Sequence, residues 1–350
     1  MINPETTIAM KIGKLSINAL KRSVLRQLNT RREEVMNGAG IGEDCATFAF
    51  SDHAMTVSCM QEAAVAPEAD IGEKCSAEER TMAQLVHKCA NNLAVKGAEP
   101  VAALITLLLP ESAEEHILKE LMSEAEKICN SLHMQIAGGQ TRITAAAVTP
   151  YAVVSGIGKL PPKIHSSLSG AKPGQDVVVS KWIGLEGTAY FARKYKEKLS
   201  ERYPAYLVEE AAGFDKYLSI IPEAAVAVKS GVCAMHDVSE GGIFGALWEF
   251  SERAGVGLTI DFKKLPLRQE TVEVCECCDV NPYELLSGGS LIMASEDGPA
   301  LVEALKAEGI PAVTVGKVTD SNDRILFNGG EVRYMDRPKC DEIYGGLKES

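Results

Sequence analysis

Several short segments bring together residues that could do chemistry, and the first is NGAGIGEDCA at residues 37–46. Its glycines, among them Gly40 and Gly42, precede an acid pair formed by Glu43 and Asp44. Glycines let backbone N–H groups approach a phosphate closely, and an acid behind them could hold Mg²⁺. The segment is not a dinucleotide fingerprint, because no strand precedes it and no long helix follows it. A flexible turn with a solvated acid pair is the alternative interpretation.

Two neighbouring amides end a predicted helix in HKCANNLAVKGAEP, residues 87–100. Asn91 and Asn92 lie in its last turns, although amides compete for backbone hydrogen bonds inside helices. Asn92 follows Leu85 by seven residues, at the edge of the apolar face. This spacing predicts that Asn92 faces a ligand rather than solvent.

A glycine turn is predicted at a strand end in AGGQTRIT, residues 137–144. Gly138 and Gly139 would form the turn and present Gln140, Thr141 and Arg142. The alternative is an ordinary hairpin turn.

The segment AMHDVSEGGIFGAL, residues 234–247, predicts a polar loop that opens a helix. Ser239 could cap that helix, and Asp237 could interact favourably with its dipole. The functional interpretation is that His236 and Asp237 face a ligand across a cleft between two domains.

The ten cysteines are scattered, and three of them cluster in CECC as Cys275, Cys277 and Cys278. A metal site there would need a fourth ligand, and no second Cys or His pair at finger-like spacing is present. We therefore expect buried, reduced thiols.

These segments lie on an alternation of strand-like and helix-like stretches, which predicts an α/β (α+β) fold with two domains. Each domain would have one mostly antiparallel sheet with helices packed on it. A helix is expected over 79–96, and Ser112 with Glu115 forms a capping-box pattern ahead of another. The stretch 161–175 is rich in Pro, Gly and Ser, so the predicted domains are 1–160 and 161–350.

Composition excludes some partners. The 350 residues are 46% hydrophobic and 24% charged, which is typical of a globular protein. A net charge of −12 argues against nucleic acid or an anionic membrane surface as a partner. The longest apolar run, residues 100–110, is too short to span a bilayer, and the N-terminus lacks a signal-peptide pattern. A cytoplasmic location is expected.

In this order the motifs resemble the AIR synthase (PurM-like) superfamily, from GIGEDCA through NNLAVKGAEP, AGGQT, GLEGT and HDVSEGGIFGALWE to LLSGGSLI. HDVSEGG with GALWE and SERAGVGL is most similar to the branch of the hydrogenase maturation protein HypE and its paralogues. The resemblance implies an N-terminal domain that forms a barrel-like homodimer, and ATP bound in the cleft with the C-terminal domain. It assigns the cofactor-binding residues to Gly40, Gly42, Asp44, Asn91, Asn92, Gly138, Gly139, Gln140, Thr141, His236 and Asp237.

Three carboxylates that the family pattern leads us to expect are neutral in this chain. The family's strand-end aspartate falls on Met60 or Gln61, its helix-end aspartate on Asn92, and its glycine-turn aspartate on Gln140. Asp44 alone matches an expected metal ligand. Mg²⁺ prefers carboxylate and phosphate oxygens, so these amides weigh against an ordinary Mg²⁺ site.

Three functions follow from the resemblance. The first is a HypE-like, ATP-binding protein that matures a hydrogenase or another metallocentre with a partner protein. The second is a paralogue without catalysis that acts as a dimeric scaffold, and the third is an ATP-dependent small-molecule kinase or synthetase. Cys340 is faintly similar to the thiol of the HypE tail. Ten residues follow it, however, and they look like a surface segment, so an acceptor role is not expected.

Overall fold

The computed structural model describes residues 17–30, 32–51, 54–67, 76–77, 79–161, 163–164, 170–336 and 340–345. Within these ranges the chain forms two mostly antiparallel β-sheets with helices packed on them, which confirms the predicted α/β (α+β) architecture. Neither sheet closes into a barrel within the described chain, and the barrel-like dimer stays a prediction. No helix among these residues is long and apolar enough to cross a membrane.

The first sheet has seven described strands, and its main path runs β1-β2-β3-β7-β5-β6, with β4 beside β3. Only the pairs β5–β6 and β3–β4 are parallel among the described ladders of this sheet. The strands are β1 (Val35–Asn37), β2 (Cys45–Ser51), β3 (Ala54–Val65), β4 (Glu79–Arg80), β5 (Glu99–Leu109), β6 (Gln135–Ile143) and β7 (Tyr151–Leu160).

Helices α2 (Met82–Ala94) and α3 (Glu115–Ser131) accompany this sheet, and α1 (Ile17–Ser23) precedes it. The capping box lies at α2 rather than at α3. Thr81 Oγ1 accepts a hydrogen bond from Gln84 N at 3.0 Å, and Gln84 Oε1 accepts one from Thr81 N at 2.9 Å. The predicted box at Ser112 and Glu115 is wrong, because α3 begins after Glu114 without a side-chain cap.

The apolar face of α2 packs against β3 and β7. Cys89 and Leu93 are fully buried, and the Cys89 Sγ atom lies 3.6 Å from the Cys59 Sγ atom. A Cβ atom at Gly156 would lie 2.6 Å from Cys89 Sγ and 3.1 Å from Leu93 Cδ1. The glycine in β7 therefore allows α2 to lie close on the sheet.

The predicted glycine turn at residues 137–144 is wrong. Gly138 and Gly139 lie inside β6, which continues to Ile143 in parallel with β5. Gly139 has a φ of +146°, and a Cβ atom there would lie 1.8 Å from the carbonyl oxygen of Ile105. Glycine is therefore required for the close approach of two strands and does not reverse the chain.

The second sheet also has seven described strands, in the order β14-β13-β10-β12-β8-β11-β9. Among its described ladders only β10–β13 is parallel. The strands are β8 (Asp176–Ser180), β9 (Ala234–Val238), β10 (Gly257–Asp261), β11 (Ser290–Ser295), β12 (Ala312–Thr319), β13 (Arg324–Asn328) and β14 (Glu331–Tyr334). The predicted boundary at residue 161 falls between β7 and β8, and its position stays a prediction.

The helices of this half are α4 (Leu185–Lys194), α5 (Lys196–Arg202), α6 (Ala205–Ala212), α7 (Ile221–Lys229), α8 (Gly242–Ala254), α9 (Gln269–Cys278) and α10 (Gly298–Ala307). Cys275, Cys277 and Cys278 are buried on α9 as free thiols, as expected. Burial raises the pKa of both Cys275 and Cys278, so these thiols stay protonated.

Candidate functional site

The glycine-rich segment at residues 40–44 leads into β2 and packs on α8 of the second half. Gly42 has a φ of +68°, and a Cβ atom there would lie 3.1 Å from the carbonyl oxygen of Glu249. Glycine at this position therefore allows the first half to touch the helix of the second.

The two acids of the predicted pair, Glu43 and Asp44, differ in their contacts. Glu43 forms a salt bridge with Arg253 of α8, with 2.6 Å between Oε1 and Nε, and another with Lys96 after α2. It therefore joins the two halves of the chain. Asp44 is exposed and lies directly before β2.

The predicted polar loop is wrong for His236 and Asp237, because both residues lie in strand β9, which pairs with β11. This strand brings them to Asp44. One potential ligand atom from each of the three residues lies within 4.8 Å of the other two. His236 and Asp237 are 3% and 6% exposed, and β9 is an edge strand of the second sheet. The structure thus unites three predicted site residues from distant parts of the sequence.

Glu249 on α8 orients the ring of His236, with 3.3 Å between Oε2 and Nε2. Burial by itself would lower the pKa of this imidazole. The hydrogen bond with Glu249 and the charges of Asp237, Asp44 and Glu249 outweigh burial, so the pKa of His236 is raised above its ordinary value.

The donor set of this cluster tests whether a metal ion fits. Two carboxylates and one imidazole can share a dication, and the Glu249 contact resembles the outer-shell partner of many metal-bound histidines. Mg²⁺ prefers an all-oxygen shell, whereas Zn²⁺ and Fe²⁺ accept imidazole readily. The cluster of Asp44, His236 and Asp237 therefore does not fit Mg²⁺ well, and we derive no step through that ion.

Asn91 contacts the second half of the chain. Its Nδ2 donates to the carbonyl oxygen of Leu218 at 2.7 Å, and its Oδ1 accepts from the N–H of Ile220 at 3.0 Å. The side chain is 5% exposed. These contacts give Asn91 a role in joining the domains, while its predicted contact with a cofactor stays a prediction.

Asn92 lies at the end of α2 beside the acid segment. It is 2% exposed, and its carbonyl oxygen accepts a hydrogen bond from the Cys45 thiol at 3.0 Å. Because Cys45 follows Asp44 directly, this contact holds the end of α2 next to Asp44.

The other amide positions lie apart on the first sheet. Gln61 is in β3 and Gln140 is in β6, with β7 and β5 between them. Three strand spacings separate the two backbones by roughly 14 Å, so the pair cannot hold one ion. Gln140 and Thr141 are exposed on the edge strand, and Met60 is 62% exposed.

A cavity of about 380 Å³ lies between the two halves of the chain. It extends from the end of β3 and the outer face of α2 to the loop after β9 and the C-terminal segment. Its charged and aromatic residues come from six separate segments, so no local sequence pattern reveals them. Its polar lining residues are Glu62, Arg80, Gln84, Lys88, Tyr151, Glu186, Glu240 and Tyr344.

The segment that follows Cys340 is docked, so the expected surface segment is wrong for its described residues. Asp341 and Ile343 are 3% and 2% exposed. Asp341 Oδ1 accepts from Leu286 N at 3.0 Å, and its Oδ2 accepts from Gly241 N at the start of α8. Cys340 is exposed but lies directly beside this anchored residue.

Comparison with known proteins places both halves in one family. The N-terminal domain profile of AIR synthase related proteins matches residues 42–160, and the C-terminal domain profile matches residues 172–327. This chain belongs to the AIR synthase-related family. The first match ends with β7 at residue 160, and the second begins at residue 172, shortly before β8.

The chain is homologous to the HypE hydrogenase maturation proteins. It is 26% identical to the carbamoyl dehydratase HypE of Rhodobacter capsulatus over 69% of each protein. A HypE–HypF complex aligns with a TM-score of 0.64 and 20% identity, over 85% of this chain and 94% of that one. HypE in complex with ATP aligns with a TM-score of 0.63 and 16% identity, over 96% and 98%. At these identities the structural matches show a shared fold.

Proposed function

We propose that this chain is a maturation protein of the HypE kind that binds ATP in the cleft between its two domains. The observation that carries the proposal is the convergence of Asp44 with His236 and Asp237. Glu240, which follows Asp237 by three residues in the chain, lines the cavity between the two halves. A similar structure that contains ATP supports the nucleotide, and the HypE–HypF complex supports a maturation partner protein.

The chain's own residues favour binding over fast hydrolysis. Gln61, Asn92 and Gln140 carry no charge, so they do not recruit the hard cation that neutralises charge in phosphoryl transfer. A non-catalytic, nucleotide-binding scaffold is therefore the second candidate. The comparisons do not favour a small-molecule kinase or synthetase.

Calorimetric titration with ATP, followed by a phosphate-release assay, tests the proposal. We expect wild type to bind ATP and to release phosphate slowly. The variant Asn92→Asp buries a carboxylate, so we expect it to melt at a lower temperature in EDTA and to recover with Mg²⁺. Mg²⁺ recruited by the new carboxylate should neutralise charge in phosphoryl transfer and raise the rate of phosphate release about tenfold or more. A tenfold rise corresponds to a barrier that is lower by roughly 1.4 kcal/mol.

Asn130→Asp on the exposed face of α3 serves as the matched control and should change neither property. Absence of ATP binding by wild type would refute the proposal. Binding without phosphate release, in wild type and in Asn92→Asp, would establish the scaffold.

We also propose that the chain forms a homodimer through the outer face of the first sheet. The helices α2 and α3 cover the opposite face. Met60 on β3 and Leu104 on β5 both flank Ser155 of β7 and are 62% and 39% exposed. Phe50 on β2 is 70% exposed and stacks with Phe48. An apolar patch of this kind typically marks a protein interface.

The expected cytoplasmic location stays a prediction.

A further inference from the structure

The charged side chains of the interdomain cavity are not equally engaged. Arg80 is fixed in place, because its Nε lies 3.3 Å from Glu186 Oε1 and its Nη1 donates to the carbonyl oxygens of Ala77 and Glu79 at 2.8 Å each. The charge of Arg80 is thereby offset by Glu186, which is 5% exposed.

The polar groups near Arg80 are engaged as well. Gln84 closes the capping box of α2 through its Oε1 and donates through its Nε2 to Asp215 at 3.2 Å. Glu62 accepts a hydrogen bond from the hydroxyl of Tyr151.

Lys88 differs from these groups. It is half-buried on α2, and across the described ranges its ammonium has no hydrogen-bond or salt-bridge partner. It precedes Asn92 by one helical turn, so the Cβ atoms of the two residues lie about 6 Å apart on one helix face. The stem of Lys88 packs on the helix while its ammonium lines the cavity, so the ammonium is available to an anionic group of a ligand.

We propose that Lys88 binds an anionic group of the ligand directly and takes over the charge compensation that a Mg²⁺ ion would supply. The inference rests on the proposed function and names the anion as a phosphate of the bound nucleotide. Lys88 lies next to Asn92, where the family pattern leads us to expect a metal-binding carboxylate. A cation on the protein and a neutral amide together hold a phosphate without needing a dication.

The acids near Lys88 limit the proposed phosphate-binding site to one phosphate group. Glu62 and Glu240 also line the cavity, so the cavity as a whole is not positively charged. Lys88 therefore marks the place of one phosphate group and does not form part of a broad phosphate-binding surface.

Calorimetric titration of the full chain with ATP, in buffer with EDTA and in buffer with Mg²⁺, tests the inference. We expect the Kd of wild type to differ by less than about threefold between the two buffers. Lys88→Met should weaken binding roughly tenfold to a hundredfold in both buffers, the usual effect of losing a charge-assisted hydrogen bond. Lys88→Arg keeps the charge and should bind within a few-fold of wild type. Lys119→Met, an exposed position on α3, is the control and should bind like wild type.

The outcomes separate the two proposals. Binding of ATP by wild type only in the presence of Mg²⁺ would overturn the role of Lys88 and leave the proposed function intact. Unchanged ATP binding by Lys88→Met would also overturn the role of Lys88 and leave the proposed function intact. The circular dichroism spectrum and melting temperature verify that this variant is folded. Absence of ATP binding in both buffers would overturn the proposed function and this inference with it.

Discussion

At the scale of single residues, Asp341 holds the C-terminal segment 340–345 against the second domain. Its carboxylate accepts backbone N–H groups from Gly241, Leu286 and Ile343. Burial raises the pKa of Asp341 to about 6, although the three hydrogen bonds act in the opposite direction.

This raised pKa predicts how the stability depends on pH. The pKa is 3.8 in the unfolded chain and about 6 in the folded protein, so the folded state binds the proton more tightly. The protonated carboxyl thus adds stability below pH 4, and this contribution is lost as the pH rises through 6. The free energy of unfolding of wild type relative to Asp341→Asn should fall by up to about 3 kcal/mol between pH 4 and 7. Urea denaturation across this range measures the difference, and a constant value would contradict the prediction.

At the scale of elements, strand β6 depends on one glycine more than on its neighbour. Gly139 would place a Cβ atom 1.8 Å from the backbone of Ile105, whereas a Cβ atom at Gly138 would meet Leu104 at an ordinary 3.6 Å. The two adjacent positions therefore separate the effect of backbone contact from the general cost of replacing a glycine.

We expect Gly139→Ala to destabilise the protein by more than about 3 kcal/mol, because β6 must move away from β5. Gly138→Ala is the matched control: its φ of +158° also disfavours alanine, but without a backbone collision it should cost only about 1–2 kcal/mol. Thermal and urea unfolding of both variants test this expectation. Equal costs for the two variants would show that the contact with Ile105 does not decide the position of β6.

At the scale of the whole molecule, one charge introduced on the outer face of the first sheet should disrupt the proposed homodimer. Met60→Glu places a carboxylate in the middle of the proposed dimer face. Burying an unpaired charge costs several kcal/mol, so the dimer dissociation constant should rise by more than about a hundredfold. Analytical ultracentrifugation measures this change. Val148→Glu, at a position that is 95% exposed between β6 and β7, should leave the dimer intact. A monomeric wild type, or a dimeric Met60→Glu variant, would contradict the proposal.

The contacts between the domains also belong to this scale. Asn91 joins α2 to the backbone at residues 218–220, and Glu43 joins Lys96 to Arg253. Both contacts use residues from motifs that the sequence associated with ligand binding. Part of each motif therefore joins the two domains, while the predicted ligand contacts of the neighbouring Asp44 and Asn92 stay predictions.

The sequence by itself determined the class of fold, the mostly antiparallel sheets, the helix at α2 and the family. These follow from local periodicity and from the order of motifs, which a single chain carries along its length. It also named Asp44, His236 and Asp237 as site residues, because they match motifs of the family that the chain resembles.

Only the tertiary structure decided which of these residues meet. Gly138 and Gly139 have the composition of a turn, yet the close approach of β5 turns them into strand residues. The cavity residues Lys88, Glu186 and Tyr344 belong to helices and a tail with no shared local pattern. Their proximity comes from the packing of two domains against each other, and that packing depends on contacts between residues more than a hundred positions apart.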